Sequence, residues 1–433
     1  MTTTEGGRMN SVIARRSVVL AAVTMLMGVR AMAQGYETDP QFVAGTLVGA
    51  EKLFGDHYRL AALVPVQGFQ YQFSIESDFG EFTAESQRML DVRLIEIAAL
   101  AELKQTTGSE AFANALAHAA TGPYRTAVSF VSHPVETITG IPGGVGRFLK
   151  GITRSGSKAV NGNQQSAQNE QAPAEGVEQT STSNDSDPVR SLLGANSAKR
   201  RLARELNVDP YSDNTALQEE LERVAWASTA GGLVVRFAVP GVTEIGYLAD
   251  VENLVWNVSP AELEALNAEA LKLMGVEESA QQALFANASF SPTLVTSLVH
   301  ALAGIDLPGG QQAVVELAAR ADSPAAARFV TDSVNMLHHY HREKMPLAAV
   351  TVRESLVFGT NNAKTIVLPL PVDYLSWNAD IDVALGTLES VASAREMLVG
   401  GSTSNVASEV LTARGWTLSP GAFALLEGTE TSQ

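Results

Sequence analysis

The 34 residues from Ser155 to Pro188 hold no aromatic side chain, and Val160 and Val177 are their only branched aliphatics. More than half of the stretch is Gln, Asn, Ser or Gly, so it has too little apolar surface to offset the entropy lost on ordering. It cannot enter a core. Whatever folds must fold before it and after it, and residues 155–188 read as a disordered linker. A flexible coil of this length spans roughly 30 Å root-mean-square and tethers two bodies without fixing their relation. The rest of the chain is different: 45% of all 433 residues are hydrophobic, enough to bury a core on either side.

Before the linker, residues 45–154 read as a small β-meander plus helices. In "FQYQFSIES", Phe69, Tyr71, Phe73 and Ile75 alternate with Gln70, Gln72, Ser74 and Glu76, the signature of a half-exposed strand. Asp78-Phe79-Gly80 is a turn, "SQRMLDVRLIEIAALAELKQ" takes helical spacing, and further helices are expected at Ser109–Ala120 and Pro123–Ser132. After the linker, residues 189–345 read as nearly all helix. "SPAELEALNAEALKLMG" has a Ser cap, a Pro at its first position and a Glu three after the Ser, and "SPAAARFVTDSVNMLHHYHREK" repeats the opening. No fixed period emerges. Residues 346–427 change to an α/β pattern: a hairpin of "AAVTVRESLVF" and "AKTIVLPLPVDYL" about "GTNN", then helix, strand, helix and strand. Pro369 and Pro371 restrict the second hairpin strand to an edge or a short length. The expected class is α+β, mainly helical, with a small N-terminal sheet, a helical middle and a C-terminal α/β domain.

The N-terminus indicates where such a chain works. Arg15 and Arg16 precede the 12-residue apolar run Val18–Val29, and Ala31-Met32-Ala33 is a small-x-small cleavage signal before Gln34. Residues 1–33 therefore read as a bacterial secretory signal, too short to span a bilayer, which needs about 20 apolar residues. Cleavage leaves 26 basic against 46 acidic residues, a soluble and strongly acidic chain destined for the periplasm or the exterior. That balance argues against nucleic acid as a partner, because phosphate contacts need a positive face. The absence of cysteine excludes disulfides, thiolate metal sites and cysteine nucleophiles.

Four constellations are candidates for chemistry. In "NMLHHYHREK", His338 and His341 share a helix side while His339 points away, so two ligands converge where a metal wants three or four. A hydrogen-bonded histidine pair near a helix C-terminus is the plainer reading. In "VGGSTSNVASEVL", Gly400, Gly401, Ser402, Thr403, Ser404 and Asn405 form a strand-to-helix turn whose free N–H groups suit a phosphate or carboxylate. It is neither a Walker loop nor a nucleophile elbow, and Ser404 as an ordinary helix cap is the simpler alternative. Asp380 and Asp382 read as first-turn helix acids. Asp209, Asp213 and Glu220 fall at calcium-loop positions, but Tyr211 replaces a ligand and Asn214 the needed glycine, which excludes the loop. No motif implies a cofactor.

Basic charge gathers on both sides of the linker, at Arg147 and Lys150 before it and at Lys199, Arg200, Arg201 and Arg204 after it. These residues are candidates for contact with an anionic membrane surface, with solvated helix faces as the alternative. The words "PVETITGIPGGVGRFLKG", "AKRRLARELNVDPYSDNTALQEELERVAWASTAGG" and "LTARGWTLSP" resemble a family of exported bacterial proteins without assigned activity. The resemblance implies one unit from about Gly45 to Pro420 and no catalytic residue. The expected function is a non-catalytic binding or structural role in the cell envelope, with an envelope protein or the membrane surface as partner. The alternative is a hydrolase or ligand-binding enzyme using Ser402–Asn405 with His338 and His341. N-terminal sequencing of the exported chain is expected to begin at Gln34, and intact chain beginning at Met1 or Met9 in the soluble cell interior would contradict the export reading.

Overall fold

The computed structural model describes residues 35–121, 188–234, 237 and 251–426. The signal-like segment, the helix expected at Pro123–Ser132 and linker residues 155–187 lie outside the described residues. The described residues form an α+β fold, and no helix among them is long and apolar enough to cross a membrane.

The N-terminal strands are β1 (Gln41–Val43), β2 (Phe54–Gly55), β3 (Tyr58–Leu60), β4 (Leu63–Gln67), β5 (Gln70–Ser77) and β6 (Gly80–Glu85), with helix α1 (Ala44–Leu47) after β1. They form an antiparallel sheet centred on β5, which pairs with β6 along one edge and with β4 and then β3 along the other. The expected alternation is present: Tyr71, Phe73 and Ile75 are buried, and Ser74 and Glu76 are exposed. Phe69 departs from it. Gly68 at φ +56° and Phe69 at φ +67° form the two-residue turn between β4 and β5, the positive-φ geometry that matches the twist of a hairpin. The Phe69 ring then packs against the C-terminal core instead of the sheet.

Helix α2 (Gln87–Thr107), capped by Ser86, covers the sheet with Met89, Leu90 and Ile97. One turn further on, Leu100 and Leu103 join a helical cluster with α3 (Glu110–Thr121), α4 (Pro188–Glu205) and α5 (Thr215–Gly231). After α6 (Glu252–Asn257) come α7 (Pro260–Leu273), α8 (Glu278–Phe285), α9 (Pro292–Ile305), α10 (Gln311–Ala318) and α11 (Pro324–His339). The long helices α7, α9 and α11 each open on Ser-Pro, and the caps Ser259, Ser291 and Ser323 accept from Glu262, Leu294 and Ala326 N–H. From 259 to 291 and from 291 to 323 the step is the same, 32 residues. α7 packs on α9, α9 on α11 and α8 on α10, as in stacked helical repeats. This corrects the sequence reading that no fixed period exists. The Ser-Pro pairs at 259, 291 and 323 carry the period, while the helix sequences between them differ.

The last part holds β7 (Leu347–Arg353), β8 (Leu356–Asn361), β9 (Ile366–Leu370), β10 (Tyr374–Leu375), α12 (Ala379–Glu389), β11 (Arg395–Val399), β12 (Ser402–Thr403), α13 (Asn405–Ala413) and β13 (Trp416–Ser419). The main sheet runs β13-β11-β9-β8-β7, parallel from β13 to β9 and antiparallel beyond, and β10 and β12 form a short parallel pair beside it. The expected two-strand hairpin about "GTNN" is in fact three strands. The chain reverses first at Glu354, φ +54°, and again after Asn361, where Lys364 at φ +65° donates to the Asn361 carbonyl; the expected reversal is therefore present at the end of "GTNN", and Gly359 lies inside β8. Gly359 serves close packing, because a Cβ there would lie 2.7 Å from Leu347 and 3.2 Å from Leu337.

Strand β9 is central, where its prolines had suggested an edge. Ile366 N–H donates toward β11, to Ala394, so by alternation Pro369 turns its missing donor toward β8. The β8–β9 ladder has already stopped at Val367, so no bond is lost there. One core cluster passes from α7–α11 into Leu347, Val357, Val367 and Leu398, so a single core crosses the expected boundary at residue 346. Beneath α12 and α13, Phe358, Leu368, Leu385, Met397 and Leu411 fill the opposite sheet face. This completes three layers, helix on sheet on helix.

The two sheets meet at Asp373, which is 2% exposed. Its Oδ2 accepts from Tyr71 N–H at 2.9 Å, on β5, and from Gln87 N–H at 3.1 Å, the first residue of α2. Its own N–H donates to Phe69 O at 3.1 Å, and its carbonyl accepts from Ser402 N–H at 2.9 Å. A Cβ on Gly401 would lie 2.1 Å from that carbonyl oxygen, which leaves room only for glycine. Burial pushes the Asp373 carboxyl up from 3.8 to about 6, against the pull of the Tyr71 and Gln87 N–H groups and of Arg88. The unfolded chain keeps 3.8, so the fold's gain from this group is full below that pH and is lost as pH rises through about 6. Asp373→Ala leaves the buried Tyr71 N–H and the half-buried Gln87 N–H unpaired and is expected to cost about 3 kcal/mol in urea unfolding. Asp373→Asn keeps an acceptor and is expected to flatten the fall in stability between pH 4 and 7; an unchanged midpoint for the alanine variant would contradict the assignment.

Candidate functional site

A cleft of about 280 Å³ opens where α2, the loop after α4 and the N-terminal ends of α9 and α11 meet. Helix α2 contributes Met89 and Val92, and α9 contributes Pro292 and Leu294. The polar lining comes from Asp209, Tyr211, Ser212 and Asp213 on the loop, from Ser289 and Ser291 before α9, and from Arg328 on α11.

The loop is shaped by short-range bonds. Asn207 at φ +53° ends α4, Val208 is buried, and its carbonyl accepts from Trp256 Nε1 at 3.0 Å. Asp209 then folds an Asx turn by accepting from Tyr211 N–H at 2.9 Å, and Asn214 caps α5 through Leu217 N–H. Glu96, wholly buried on α2, accepts from Arg93 at 2.6 Å, from Asn214 Nδ2 at 3.0 Å and from the Ser212 hydroxyl. Asp213 pairs with Arg93 and, at 3.2 Å, with Arg328, which also faces Glu85 at 3.5 Å. Arg93 and Arg328 are thus matched by Glu96, Asp213 and Glu85, while Arg200 approaches the Tyr211 phenol. Burial pushes Asp213 up, but Arg93 and then Arg328 outweigh it and hold the carboxyl below its ordinary range.

Asp209 has no cationic partner at all among its bonds. Only 3% exposed, its Oδ1 accepts from the Thr293 hydroxyl at 2.7 Å and from Tyr211 N–H. Burial pushes its carboxyl from 3.8 up to about 6, with Thr293 and Tyr211 pulling the other way. Beside it, burial pushes the Tyr211 phenol up to about 12. A carboxyl that changes charge near neutral pH, on the wall of a cleft, is the kind of group found at functional sites.

The sites expected from the sequence are arranged otherwise. At the strand-to-helix turn, the N–H groups of Gly400, Gly401, Ser402 and Ser404 donate to the carbonyls of Leu370, Val372, Asp373 and Leu375. Thr403 pairs with Leu375 in the β10–β12 ladder. The open cradle expected at Gly400–Asn405 is therefore mostly closed by backbone, and Ser404 caps α13 by accepting from Ala407 N–H, with Asn405 as the first helical residue. His338 is buried with its Nε2 against Gly304, whose Cβ position it would meet at 2.2 Å. Burial, then neighbouring His300, pushes its pKa down to about 3, so it is neutral. His341 Nδ1 accepts from Leu347 N–H at 2.9 Å. Among the described residues no group of three or more His, Asp or Glu side chains is placed to hold a metal ion.

Arg147 and Lys150 lie outside the described residues. On α4, Lys199 pairs with Glu222 at 2.8 Å, Arg201 reaches the Ser228 hydroxyl, Arg204 reaches Asn257, and Arg200 lies beside the Asn196 carbonyl. Asp382 binds Arg414 at the start of α12. Asp209, Asp213 and Glu220 go to separate partners, Glu220 to Lys104 and Arg223. The sequence reading weighed this loop only as a calcium site. Its other signal, the Ser291 cap followed by the Thr293 hydroxyl in the first turn of a helix, becomes meaningful only once the loop is seen to meet that helix. Comparison with family models, with curated proteins and with solved structures gives no match.

Asp209 carries a pH-dependent cost. With its pKa at 3.8 unfolded and about 6 folded, stability from this group is full below 3.8 and falls as pH rises through 6, a difference of about 3 kcal/mol for two units. Asp209→Asn retains an oxygen for Thr293 and Tyr211 N–H. It is expected to raise the thermal midpoint at pH 7.5, where the buried carboxylate is ionised, by several degrees and to change it little at pH 4; equal shifts at both pH values would show that burial does not raise the Asp209 carboxyl.

Proposed function

We propose that this chain is a non-catalytic binding protein exported to the bacterial cell envelope, and that the cleft beside Asp209 takes a small, uncharged, hydroxyl-rich ligand such as a sugar ring. The observation that carries this reading is the pairing of a buried, cation-free acceptor with arginines already matched by carboxylates. A cleft of this charge offers little to a phosphate. It offers hydrogen-bond partners in Asp209, Ser212, Ser289 and Ser291, and apolar contact from Met89, Val92 and Leu294 to a ring face.

The cellular setting belongs to the same proposal. It is supported by the Arg-Arg, apolar run and Ala-Met-Ala order at the N-terminus and by the acidic balance. A small N-terminal sheet with helices, followed by a helical region that shares its core with the C-terminal α/β sheet, is the organisation proposed with it. Contact with an anionic membrane surface or an envelope protein is assigned to the basic face of α4. The hydrolase alternative draws little support, because Ser404, His338 and His341 each engage a different neighbour.

Thermal unfolding with neutral monosaccharides and their phosphorylated counterparts tests the reading. A specific ligand at a hundred times its Kd stabilises by about 2.7 kcal/mol. A neutral sugar is expected to raise the midpoint, and Ala288→Trp, which fills the cleft from an exposed position, is expected to abolish the shift. A response confined to phosphorylated sugars, or one that persists in Ala288→Trp, would overturn it.

A further inference from the structure

Residues 35–40 precede β1 and are held against the C-terminal sheet. Glu37 N–H donates to Trp377 O at 2.7 Å, and its Oε2 accepts from Trp377 N–H at 2.7 Å and from the Ser404 hydroxyl at 2.6 Å. The Tyr36 hydroxyl donates to Asp382 at 2.9 Å. Ser404 meanwhile accepts from Ala407 N–H, so the Glu37 carboxylate rests on the capping hydroxyl at the positive end of α13. The place itself is notable. Residues 371–377 leave the carboxyl end of β9 and residues 400–404 leave that of β11, and such ends of parallel strands are where open α/β sheets bind ligands.

The turn that the sequence marks as an anion cradle thus contains an anion, delivered by a residue 367 positions away in the chain. Its recognition uses one hydroxyl and one backbone N–H, with no cation: Arg414, the nearby positive group stacked on Trp377, is held by Asp382 and by both oxygens of Glu389. The holding segment is slight. Tyr36 is 56% exposed, Thr38 and Asp39 are exposed, and Glu37 alone makes bonds to both Trp377 and Ser404. Segments with so few buried contacts open at low free energy compared with the core.

The geometry points to a carboxylate-binding site at the N-terminus of α13, closed in cis by Glu37, whose ligand in trans is an acidic peptide segment that displaces the 35–40 strap. The strap is its own template: Tyr-Glu-Thr-Asp presents one carboxylate to Ser404 and Trp377 and a phenol to Asp382. Occupancy of the site is then a competition between the chain's own glutamate and one from a partner, and removal of Glu37 opens it. This site is separate from the Asp209 cleft and stands or falls independently of it.

The test uses the full chain and a fluorescently labelled peptide with the sequence of residues 34–40, followed by anisotropy. Glu37→Ala is expected to bind the peptide at least tenfold more tightly than the unaltered chain, and the same peptide with Gln in place of Glu is expected not to bind. In thermal unfolding, sodium acetate is expected to stabilise Glu37→Ala more than sodium chloride at equal ionic strength, with no such difference for the unaltered chain. Glu37→Gln serves as a second variant if alanine compromises folding, with changes in the same direction. Equal peptide binding by both chains, binding by neither, or equal binding of the Gln peptide would overturn the proposal.

Discussion

A carboxylate removed from water costs several kcal/mol unless donors meet it, and Asp373 is met by backbone alone. Two N–H groups on it come from different elements, Tyr71 on β5 and Gln87 at the head of α2, so its burial is repaid only when the N-terminal sheet, α2 and the end of β9 are all in place. The backbone on either side adds to this. Phe69 O accepts from both Asp373 and Tyr374 N–H, and Asp373 O accepts from Ser402. Gln70 also reaches Pro371 O at 2.8 Å. Two sheets far apart in sequence thereby share a junction of hydrogen bonds, with Phe69 adding an apolar contact. A junction built from backbone donors has little tolerance for sliding, because each bond is lost within a fraction of an ångström.

The cleft depends on that junction. The start of α2 is pinned through Gln87, and the same helix then presents Met89 and Val92 to the cleft and Arg93 and Glu96 to the loop that forms its wall. Arg88, at the same end, ties to Asp332 on α11 at 2.8 Å with both side chains largely buried. The helical array supplies the opposite wall at the starts of α9 and α11, which its regular step brings to the same side. The cleft is therefore the meeting point of three independently packed parts, the sheet-and-α2 unit, the α4–α5 loop and the helical array. Sites of this kind are positioned by tertiary structure, and the strain of holding Asp209 without a cation is carried by the packing around it.

The sequence discloses the local elements and conceals their assembly. Alternation in "QYQFSIES" and the Ser-Pro-x-Glu opening of α7 are local physics, and both appear as expected. The hairpin about Gly359 misleads because glycine signals a turn as readily as close packing, and only the neighbours Leu347 and Leu337 decide between them. Pro369 misleads because the rule against proline in central strands holds for a donor facing a partner, and here the partner strand has already diverged. The turn Gly400–Asn405 is correctly marked as attractive to anions, but nothing near it in sequence tells that Leu370, Val372 and Leu375 carbonyls take its N–H groups or that Glu37 arrives from the other end. Asp209 is visible as an acidic residue in a turn. Its burial and its partner Thr293 are not.

Amide hydrogen exchange at Tyr71 and Gln87 tests the central claim most directly. If Asp373 locks the two sheets as one unit, both amides exchange only with global unfolding, as slowly as those of Leu368 and Leu398 in the central strands β9 and β11. Exchange of Tyr71 and Gln87 at the rate of surface loops, while β9 and β11 stay protected, would show that the N-terminal sheet opens freely from the C-terminal one and that the Asp373 junction is not what holds them together.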